Sequence, residues 1–255
     1  MANLFDITDK VIVAVGGSGG LGTAICLGLA EAGAHVIPVS RNKEKNAALV
    51  AKIEALGRRS MTVSIDATNR AEMEQLKDEI VAKFGRVDVL INAAGALVKK
   101  PFLEVGEDEW DHVINVNLKS IYTACQVFGP IMLEQGYGKI INFSSMGAFL
   151  GITRSSAYCT TKGGVNQLTK VLACEWGPKG VNVNAIAPGF FKTPLNEMFL
   201  GLPEVEAKIT GDTPMRRYGK APDLLGTIIF LSSAASDFVT GAVIPVDGGY
   251  LALAL

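Results

Sequence analysis

The sequence is poor in the residues from which metal centres, disulfide frameworks and membrane helices are built. It has 2 histidines, His35 and His112, and neither has partners at a metal-ligand spacing, so no metal is expected. The 4 cysteines form neither a CxxC pair nor a disulfide pattern, and we expect reduced thiols buried on helices. They are Cys26, Cys125, Cys159 and Cys174. No apolar run approaches the ~20 residues that a membrane helix needs.

An excess of charge is also lacking. The chain has 24 Lys and Arg against 25 Asp and Glu, which gives no electrostatic reason to expect nucleic acid or an anionic membrane as partner. Its first ten residues show no basic stretch followed by an apolar one, so no secretory signal is expected. Together with the reduced thiols, this pattern predicts a cytoplasmic protein.

Short apolar segments alternate with longer amphipathic ones along the whole chain. The predicted strands are 11–15, 36–39, 61–65, 87–92, 139–143, 181–186 and 243–246. The predicted helices are 21–32, 43–56, 69–84, 107–134, 158–176 and 223–232. Buried strands separated by helices predict an α/β fold, a parallel sheet with helices on both faces. Because no linker or repeat divides the chain, we expect a single doubly wound domain over residues 1–255, with ligands at the carboxyl ends of the strands.

A glycine-rich turn joins the first predicted strand to the first helix. It reads Gly16-Gly17-Ser18-Gly19-Gly20-Leu21-Gly22. Glycines allow a sharp turn and let backbone N–H groups approach a pyrophosphate at the positive end of the helix. The turn therefore predicts a nucleotide site, and the alternative is a strand-to-helix turn with only a structural role.

The end of the second predicted strand bears on which nucleotide binds. NAD sites usually place an acidic residue there for the ribose 2′-hydroxyl. This strand ends in Ser40-Arg41, with Lys43 close by, so a 2′-phosphate could be held and NADP is the expected preference. In the alternative, Arg41 stacks on adenine or points to solvent, and NAD is usable.

Four residues suggest carbonyl chemistry. Tyr158 and Lys162 are spaced i, i+4 on one face of a predicted helix. Ser145 ends a strand at the ligand-binding edge, and Asn117 lies within the long predicted helix before that strand. Asn92-Ala93-Ala94-Gly95 and Pro188-Gly189 follow two further strands.

With the glycine turn, these motifs make the sequence resemble the short-chain dehydrogenase/reductase family over essentially the whole chain, up to residues 246–249. The resemblance implies a Rossmann-type domain with a seven-stranded parallel sheet. It implies hydride transfer between a nicotinamide cofactor and a carbonyl/alcohol pair, with a catalytic tetrad of Asn117, Ser145, Tyr158 and Lys162. The expected cofactor contacts are Gly16, Ser18, Gly19, Gly20, Leu21, Gly22, Ser40, Arg41, Asp66, Ala67, Asn92, Ala93, Ala94, Gly95, Tyr158, Lys162, Pro188, Gly189, Phe191 and Thr193.

The resemblance also implies individual roles. Asp66 is similar to a residue that meets adenine, Asn92 to one that braces the strands, and Thr193 to a contact of the nicotinamide amide. Two positions depart from the family pattern, because Val15 stands where a threonine is usual and Ala93 where an asparagine is usual. Both positions mainly support loops.

The chemistry of the tetrad is consistent with these roles. Tyrosine has a reference pKa of about 10, and the Lys162 ammonium is expected to lower the pKa of Tyr158 toward a useful range. Ser145 would donate a hydrogen bond to the substrate oxygen, and Asn117 would hold a water that links Lys162 to solvent. The alternative for Ser145 and Asn117 is capping or a helix kink.

Three segments are expected to form the specificity surface: 96–101, 146–154 and 190–212. The third is either a lid or surface cover. Lys99, Lys100 or Arg154 could anchor a substrate carboxylate. Segments 4–6, 173–177 and 247–250 resemble gluconate 5-dehydrogenase-like members, which implies a keto-gluconate or related sugar acid.

Two other functions stay open. A 3-oxoacyl-[acyl-carrier-protein] reductase would need a basic surface, for which Lys192 and the three cations above are candidates. A nicotinamide-sensing regulator without catalysis is the alternative of another class, and the intact tetrad argues against it. The resemblance also implies a homotetramer that uses the two long helices and the apolar tail, residues 250–255.

Overall fold

The computed structural model describes residues 3–194 and 196–253 and contains a seven-stranded, all-parallel sheet with the order β3-β2-β1-β4-β5-β6-β7. The strands are β1 (Val11–Val15), β2 (His35–Ser40), β3 (Val63–Ser64), β4 (Val89–Asn92), β5 (Gly138–Phe143), β6 (Val181–Pro188) and β7 (Val243–Val246). The order reverses between β1 and β4, which opens a crevice at the carboxyl ends of the strands. The predicted doubly wound α/β fold is confirmed, and its organisation as a single domain stays a prediction.

Helices cover both faces of the sheet, as predicted. They are α1 (Gly20–Glu31), α2 (Lys43–Ala55), α3 (Arg70–Phe84), α4 (Glu107–Ile114), α5 (Ser120–Gln135), α6 (Ser156–Trp176), α7 (Glu197–Leu200), α8 (Pro203–Asp212) and α9 (Pro222–Ser232). One core lies between the sheet and α3, α5 and α6, where Phe128 is fully buried. The other lies against α1, α2 and α9, where Leu29 and Ile228 are fully buried. Burial on both faces explains why the strands consist of continuous apolar runs.

The long helix predicted over residues 107–134 is not continuous. A π-helical turn, Asn115–Lys119, separates α4 from α5. Asn117 lies in this turn and pairs with the backbone of Ala96, while the Ser120 hydroxyl donates to the Val116 carbonyl at 2.6 Å. The irregular turn thus lies where the helix meets the loop after β4, and π-turns often mark functional positions.

Buried amides connect the middle of the sheet to α6. The Asn92 Nδ2 group donates to Asn142 Oδ1 at 2.9 Å, and Asn142 Nδ2 donates to Thr169 Oγ1 at 3.0 Å. All three residues are almost completely buried. Because an unpaired polar group in this position would be costly, the bonds fix the carboxyl ends of β4 and β5 against α6.

The four cysteines lie on helices and form no disulfide. Cys26 and Cys125 are buried, and burial raises the pKa of each thiol to about 12. The prediction of burial is wrong for Cys174, which is exposed on α6, and Cys159 is only partly buried. The alternating burial pattern of α6 explains the difference, since this helix covers the sheet with one face only.

No helix among residues 3–194 and 196–253 is long and apolar enough to cross a membrane.

Candidate active site

A cavity of about 700 Å³ opens at the carboxyl ends of the central strands. Of the predicted site residues, Asn92 and Asn117 lie outside its wall and all the others line it. The lining residues are Gly16, Ser18, Gly19, Gly20, Leu21, Gly22, Ser40, Arg41, Asp66, Ala67, Ala93, Ala94, Gly95, Ser145, Tyr158, Lys162, Pro188, Gly189, Phe191 and Thr193. Residues scattered over the sequence from 16 to 193 are therefore brought together around one space.

The glycine turn forms one end of this cavity. Gly16 has φ +85°, and a Cβ there would lie 2.6 Å from the Ala94 nitrogen, so only glycine fits. Helix α1 begins at Gly20, and Gly19 before it has no side chain with which to cap the helix. Since the first turn also carries no acidic residue, its free N–H groups and the helix dipole suit an anion. The turn fits the pyrophosphate of a dinucleotide.

Positive charge lies at the same end, beyond β2. The Arg41 side chain is 71% exposed, and its Nη1 atom is 4.0 Å from Asp66 Oδ2. The hydroxyls of Ser18 and Ser40 are 2.5 Å apart and form a polar shelf beside it. Lys45 lines the cavity, whereas Lys43, which the sequence suggested, lies outside the wall.

Lys45 could have been found from the local sequence. Asn42 caps α2, and its Oδ1 accepts a hydrogen bond from the Lys45 nitrogen at 2.8 Å. This capping contact fixes where the helix starts and turns the third helical residue toward the crevice. The segment Arg41-Asn42-Lys43-Glu44-Lys45 contained the signal, because asparagine before a charged helical run is a typical N-cap.

Asp66 is held in an ionised state at the cavity wall. Burial raises the pKa of its carboxyl, but hydrogen bonds from the Thr68 nitrogen and hydroxyl, at 2.9 and 2.8 Å, lower it. The net pKa lies below its usual value. Arg41 adds to this lowering. The carboxylate therefore keeps a fixed orientation.

Tyr158, Lys162 and Ser145 meet in the middle of the cavity. Tyr158 and Lys162 lie on successive turns of α6, with Lys162 Nζ 5.6 Å from the Tyr158 ring centroid. The Lys162 ammonium is buried and donates to the Phe143 carbonyl at 2.6 Å. Ser145 follows β5, and its hydroxyl accepts from the Gly147 nitrogen at 3.1 Å. The strand end and the helix therefore place a hydroxyl, a phenol and an ammonium around one point.

The pKa of Tyr158 departs from the expectation. Burial raises it, and the Ser145 hydroxyl offsets only part of the rise, so the expected lowering by Lys162 is wrong for this structure. Burial also lowers the pKa of Lys162 to about 8. Burial is the largest cause of both shifts, because it disfavours the charged form of each side chain, and the Lys162 ammonium donates to the Phe143 carbonyl.

Asn117 contacts the loop after β4 instead of the cavity. Its Oδ1 accepts from the Ala96 nitrogen at 2.7 Å, and its Nδ2 donates to the Ala96 carbonyl at 3.0 Å and approaches Thr161 Oγ1 at 3.3 Å. Asn117 therefore fixes the loop that starts the substrate side of the cavity. Its part in a water relay stays a prediction.

The substrate side is formed by the loop after β4 and by the segment that contains α7. Lys99, Ile152, Phe190, Phe199 and Leu200 line it. The predicted specificity segment 190–212 includes α7 and α8, and its Leu195 lies outside the described residues. Whether the segment acts as a lid stays a prediction.

Known proteins share this sequence and fold. The model of the family described as enoyl-(acyl carrier protein) reductase matches residues 15–251. The chain belongs to the short-chain dehydrogenase/reductase family. It is 39% identical to the 2-dehydro-3-deoxy-D-gluconate 5-dehydrogenase of Escherichia coli K12, over 97% of this chain and 98% of that protein. It is 37% identical to a 3-oxoacyl-[acyl-carrier-protein] reductase of Thermotoga maritima, over 95% and 98%.

A solved structure is similar in both sequence and fold. The gluconate 5-dehydrogenase of Burkholderia cenocepacia J2315, in complex with NADP and tartrate, superposes with a TM-score of 0.95 at 33% identity, covering 98% of each chain. The predicted family and reaction class, hydride transfer between a nicotinamide cofactor and a carbonyl/alcohol pair, are thereby confirmed.

Among residues 3–194 and 196–253, no group of three or more His, Cys, Asp or Glu side chains could hold a metal. That catalysis needs no metal stays a prediction.

The buried Lys162 predicts how stability changes with pH. The folded chain, with a Lys162 pKa of about 8, releases this proton at a lower pH than the unfolded chain, whose lysine has a pKa of about 10.4. The unfolded state therefore binds more protons between these values, and Lys162 becomes less destabilising as the pH rises through this window. We expect the difference in the free energy of unfolding, wild type minus Lys162→Met, to increase by on the order of 1–3 kcal/mol from pH 7 to pH 10. Urea unfolding at each pH measures this difference.

Lys170→Met is the control, since Lys170 is an exposed lysine of the same helix. The difference in the free energy of unfolding between this variant and the wild type should be nearly constant over this pH range. The prediction would be contradicted if the corresponding difference for Lys162→Met were equally constant.

Proposed function

We propose that the protein reduces a keto-gluconate or a related sugar acid to its alcohol with NADPH, and catalyses the reverse oxidation. The observation that carries this proposal is that one cavity joins three parts. They are a dinucleotide cradle (the glycine turn 16–22 with the start of α1), the Tyr158-Lys162-Ser145 cluster and a cationic substrate end. The Escherichia coli relative and the Burkholderia structure are named for gluconate-type substrates, which supports the choice of substrate.

The glycine turn and the start of α1 would hold the pyrophosphate, with Asp66 and Ala67 at the adenine and Thr193 at the nicotinamide amide. Lys162 would hold the nicotinamide ribose hydroxyls. When bound, the nicotinamide supplies or accepts the hydride. The Thr193 and Pro194 side chains pack over Gly20, which brings the two ends of the cradle together.

Tyr158 acts as the general acid in reduction. Its phenol donates a proton to the substrate oxygen, and the Ser145 hydroxyl donates a hydrogen bond to the same oxygen while negative charge develops there. In oxidation, Tyr158 accepts the proton of the alcohol. Because burial raises the pKa of Tyr158, the residue is a proton donor at neutral pH, and the Lys162 ammonium lies 5.6 Å from the centroid of its ring.

The direct test is reduction of 5-keto-D-gluconate, followed by the absorbance of NADPH and of NADH in parallel. We expect faster turnover with NADPH, and we expect Tyr158→Phe to lower kcat at least 100-fold because the proton donor is lost. Binding of NADPH to the variant, measured by fluorescence, should be unchanged. Absence of turnover with sugar acids, alongside intact NADPH binding, would overturn the substrate assignment.

The preference for NADP follows from the charges beyond β2. Arg41 and Lys45 are two cations at the cavity, and the Ser18 and Ser40 hydroxyls lie beside them. A 2′-phosphate would find donors there, whereas no carboxylate of β2 is present for a 2′-hydroxyl. NAD would use the same cradle with fewer contacts.

Substitution at Arg41 tests this preference. We expect Arg41→Ala to raise the KM for NADPH about tenfold, because a charge-assisted hydrogen bond is lost, and to leave the KM for NADH nearly unchanged. Lys43→Ala is the matched control, since Lys43 is exposed two residues away and lies outside the cavity wall. Equal effects of Arg41→Ala on both cofactors would contradict the preference.

Reduction of acyl-carrier thioesters is the second candidate, and the Thermotoga relative favours it. The basic surface that an acidic carrier needs is diminished, however, because Lys100 pairs with Glu109 and Lys192 pairs with Glu206 at 2.8 Å. The sugar acid therefore remains the better substrate.

We also propose a cytoplasmic homotetramer. Tyr122 on α5 and Val171 on α6 are about half exposed, which supports an interface on these helices. The Tyr250 ring packs edge-on against Phe190, with ring centroids 5.3 Å apart, so the tail begins beside the substrate segment. Ala254 and Leu255, the end of the predicted tail contact, lie outside the described residues.

Truncation tests the role of the tail. We expect a chain that ends at Gly249 to have a lower mass than the full chain in light scattering, because the apolar tail no longer buries surface between subunits. The variant Leu253→Ala should give a smaller change in the same direction. An unchanged mass in both would remove the tail from the interface.

A further inference from the structure

The cations of the substrate loops fall into two kinds. Lys100 and Lys192 are neutralised by ion pairs with Glu109 and Glu206. Lys99 and Arg154 have no ion pair with any described residue. Lys99 is partly buried and lines the cavity. Of the two unpaired cations, Lys99 therefore lines the substrate side of the cavity, and Arg154 is exposed on the loop before α6.

These two cations are held near each other. The backbone nitrogen of Lys100 donates to the carbonyl of Arg154 at 2.9 Å, which joins the loop after β4 to the loop before α6. Burial lowers the pKa of Lys99, and the positive charge of Arg154 lowers it further. Like charges without a carboxylate between them are unfavourable, and an anion placed there would relieve the repulsion.

The backbone at Arg154 adds a second, independent observation. Arg154 has φ +65°, a conformation that is unfavourable for a long side chain. Such strain persists where the surrounding structure requires it, and it is concentrated at binding sites. Here it lies four residues before Tyr158, at the bend that carries the chain from Ile152 on the cavity wall into α6.

Lys99 also contacts the segment across the cavity. Its Nζ atom lies 3.0 Å from the centroid of the Phe199 ring, in a cation–π contact. Phe199 belongs to α7 and lines the same cavity. One ammonium group is therefore placed to touch both a ligand in the cavity and helix α7 in the cavity wall.

We propose that Lys99, assisted by Arg154, determines specificity for an acidic substrate by binding its carboxylate, and that the Lys99–Phe199 contact sets α7 over the bound acid. The inference rests on the proposed function, since it names the group of the sugar acid that is recognised. Lys99 fixes the end of the substrate that is remote from the carbonyl, while Ser145 and Tyr158 fix the reacting end.

The test compares a keto acid with its uncharged amide in steady-state reduction by NADPH. We expect Lys99→Met to raise the KM for 5-keto-D-gluconate about 10- to 100-fold, because one charge-assisted hydrogen bond is lost. The KM for the amide should change by less than about threefold, since methionine keeps the stem beside Phe199. Lys99→Arg, which keeps the charge, should restore most of the preference for the acid.

Lys100→Met is the matched control, because Lys100 is the next residue and its charge is already paired with Glu109. Lys100→Met should leave the ratio of the KM for the acid to the KM for the amide unchanged. If Lys99→Met also leaves this ratio of KM values unaltered, the inference is overturned while the proposed function stands.

Measuring the binding of gluconate distinguishes failure of the proposed function from failure of the carboxylate site. In isothermal titration of the NADPH-loaded enzyme, D-gluconate should bind the wild type at least tenfold more tightly than Lys99→Met. If the wild type binds gluconate through Lys99 but turns over no sugar acid, the proposed function fails and the carboxylate site stands. If the wild type and Lys99→Met bind gluconate equally, the carboxylate site fails.

Discussion

The close approach of the glycine turn to the end of β4 is the constraint on which the rest of this site depends. Gly16 packs its Cα against the Ala94 backbone where β1 and β4 separate, and any side chain there would collide with the main chain. This contact directs α1 toward the crevice and brings the loop after β4 under it. The Asn92-Asn142-Thr169 bonds then hold β4 and β5 against α6, so the cradle and the Tyr158-Lys162 pair share one rigid frame.

Desolvation governs the chemistry inside this frame. The same burial that removes water from Tyr158 and Lys162 raises the pKa of the phenol and lowers that of the ammonium. In water the reference pKa values of tyrosine and lysine are close, at about 10 and 10.4, and the two opposite shifts move them apart. At neutral pH the phenol therefore keeps its proton available for a substrate oxygen, while the Lys162 ammonium releases its proton more readily than a lysine in water.

Much of the fold could be predicted from the sequence because its signals are local. Apolar runs identify buried strands, and the glycine turn and the Tyr158-Lys162 spacing are read within a few residues. The break at Asn115–Lys119 could not be predicted, since no proline or glycine marks it and its bonding partner, Ala96, lies about twenty residues away. The rise in the pKa of Tyr158 depends on how the assembled cavity excludes water. The exposure of Cys174 depends on which face of α6 meets the sheet.

The hydrogen bond between the Lys100 nitrogen and the Arg154 carbonyl has a consequence for how such a site can change. It couples the loop after β4 to the loop before α6 through the main chain, so among side-chain replacements only proline at position 100 removes it. An insertion or deletion in either loop would displace the other and, with it, the bend that leads to Tyr158. Divergence toward new substrates is therefore easier through exchange of side chains on loops of constant length than through grafting of a single loop.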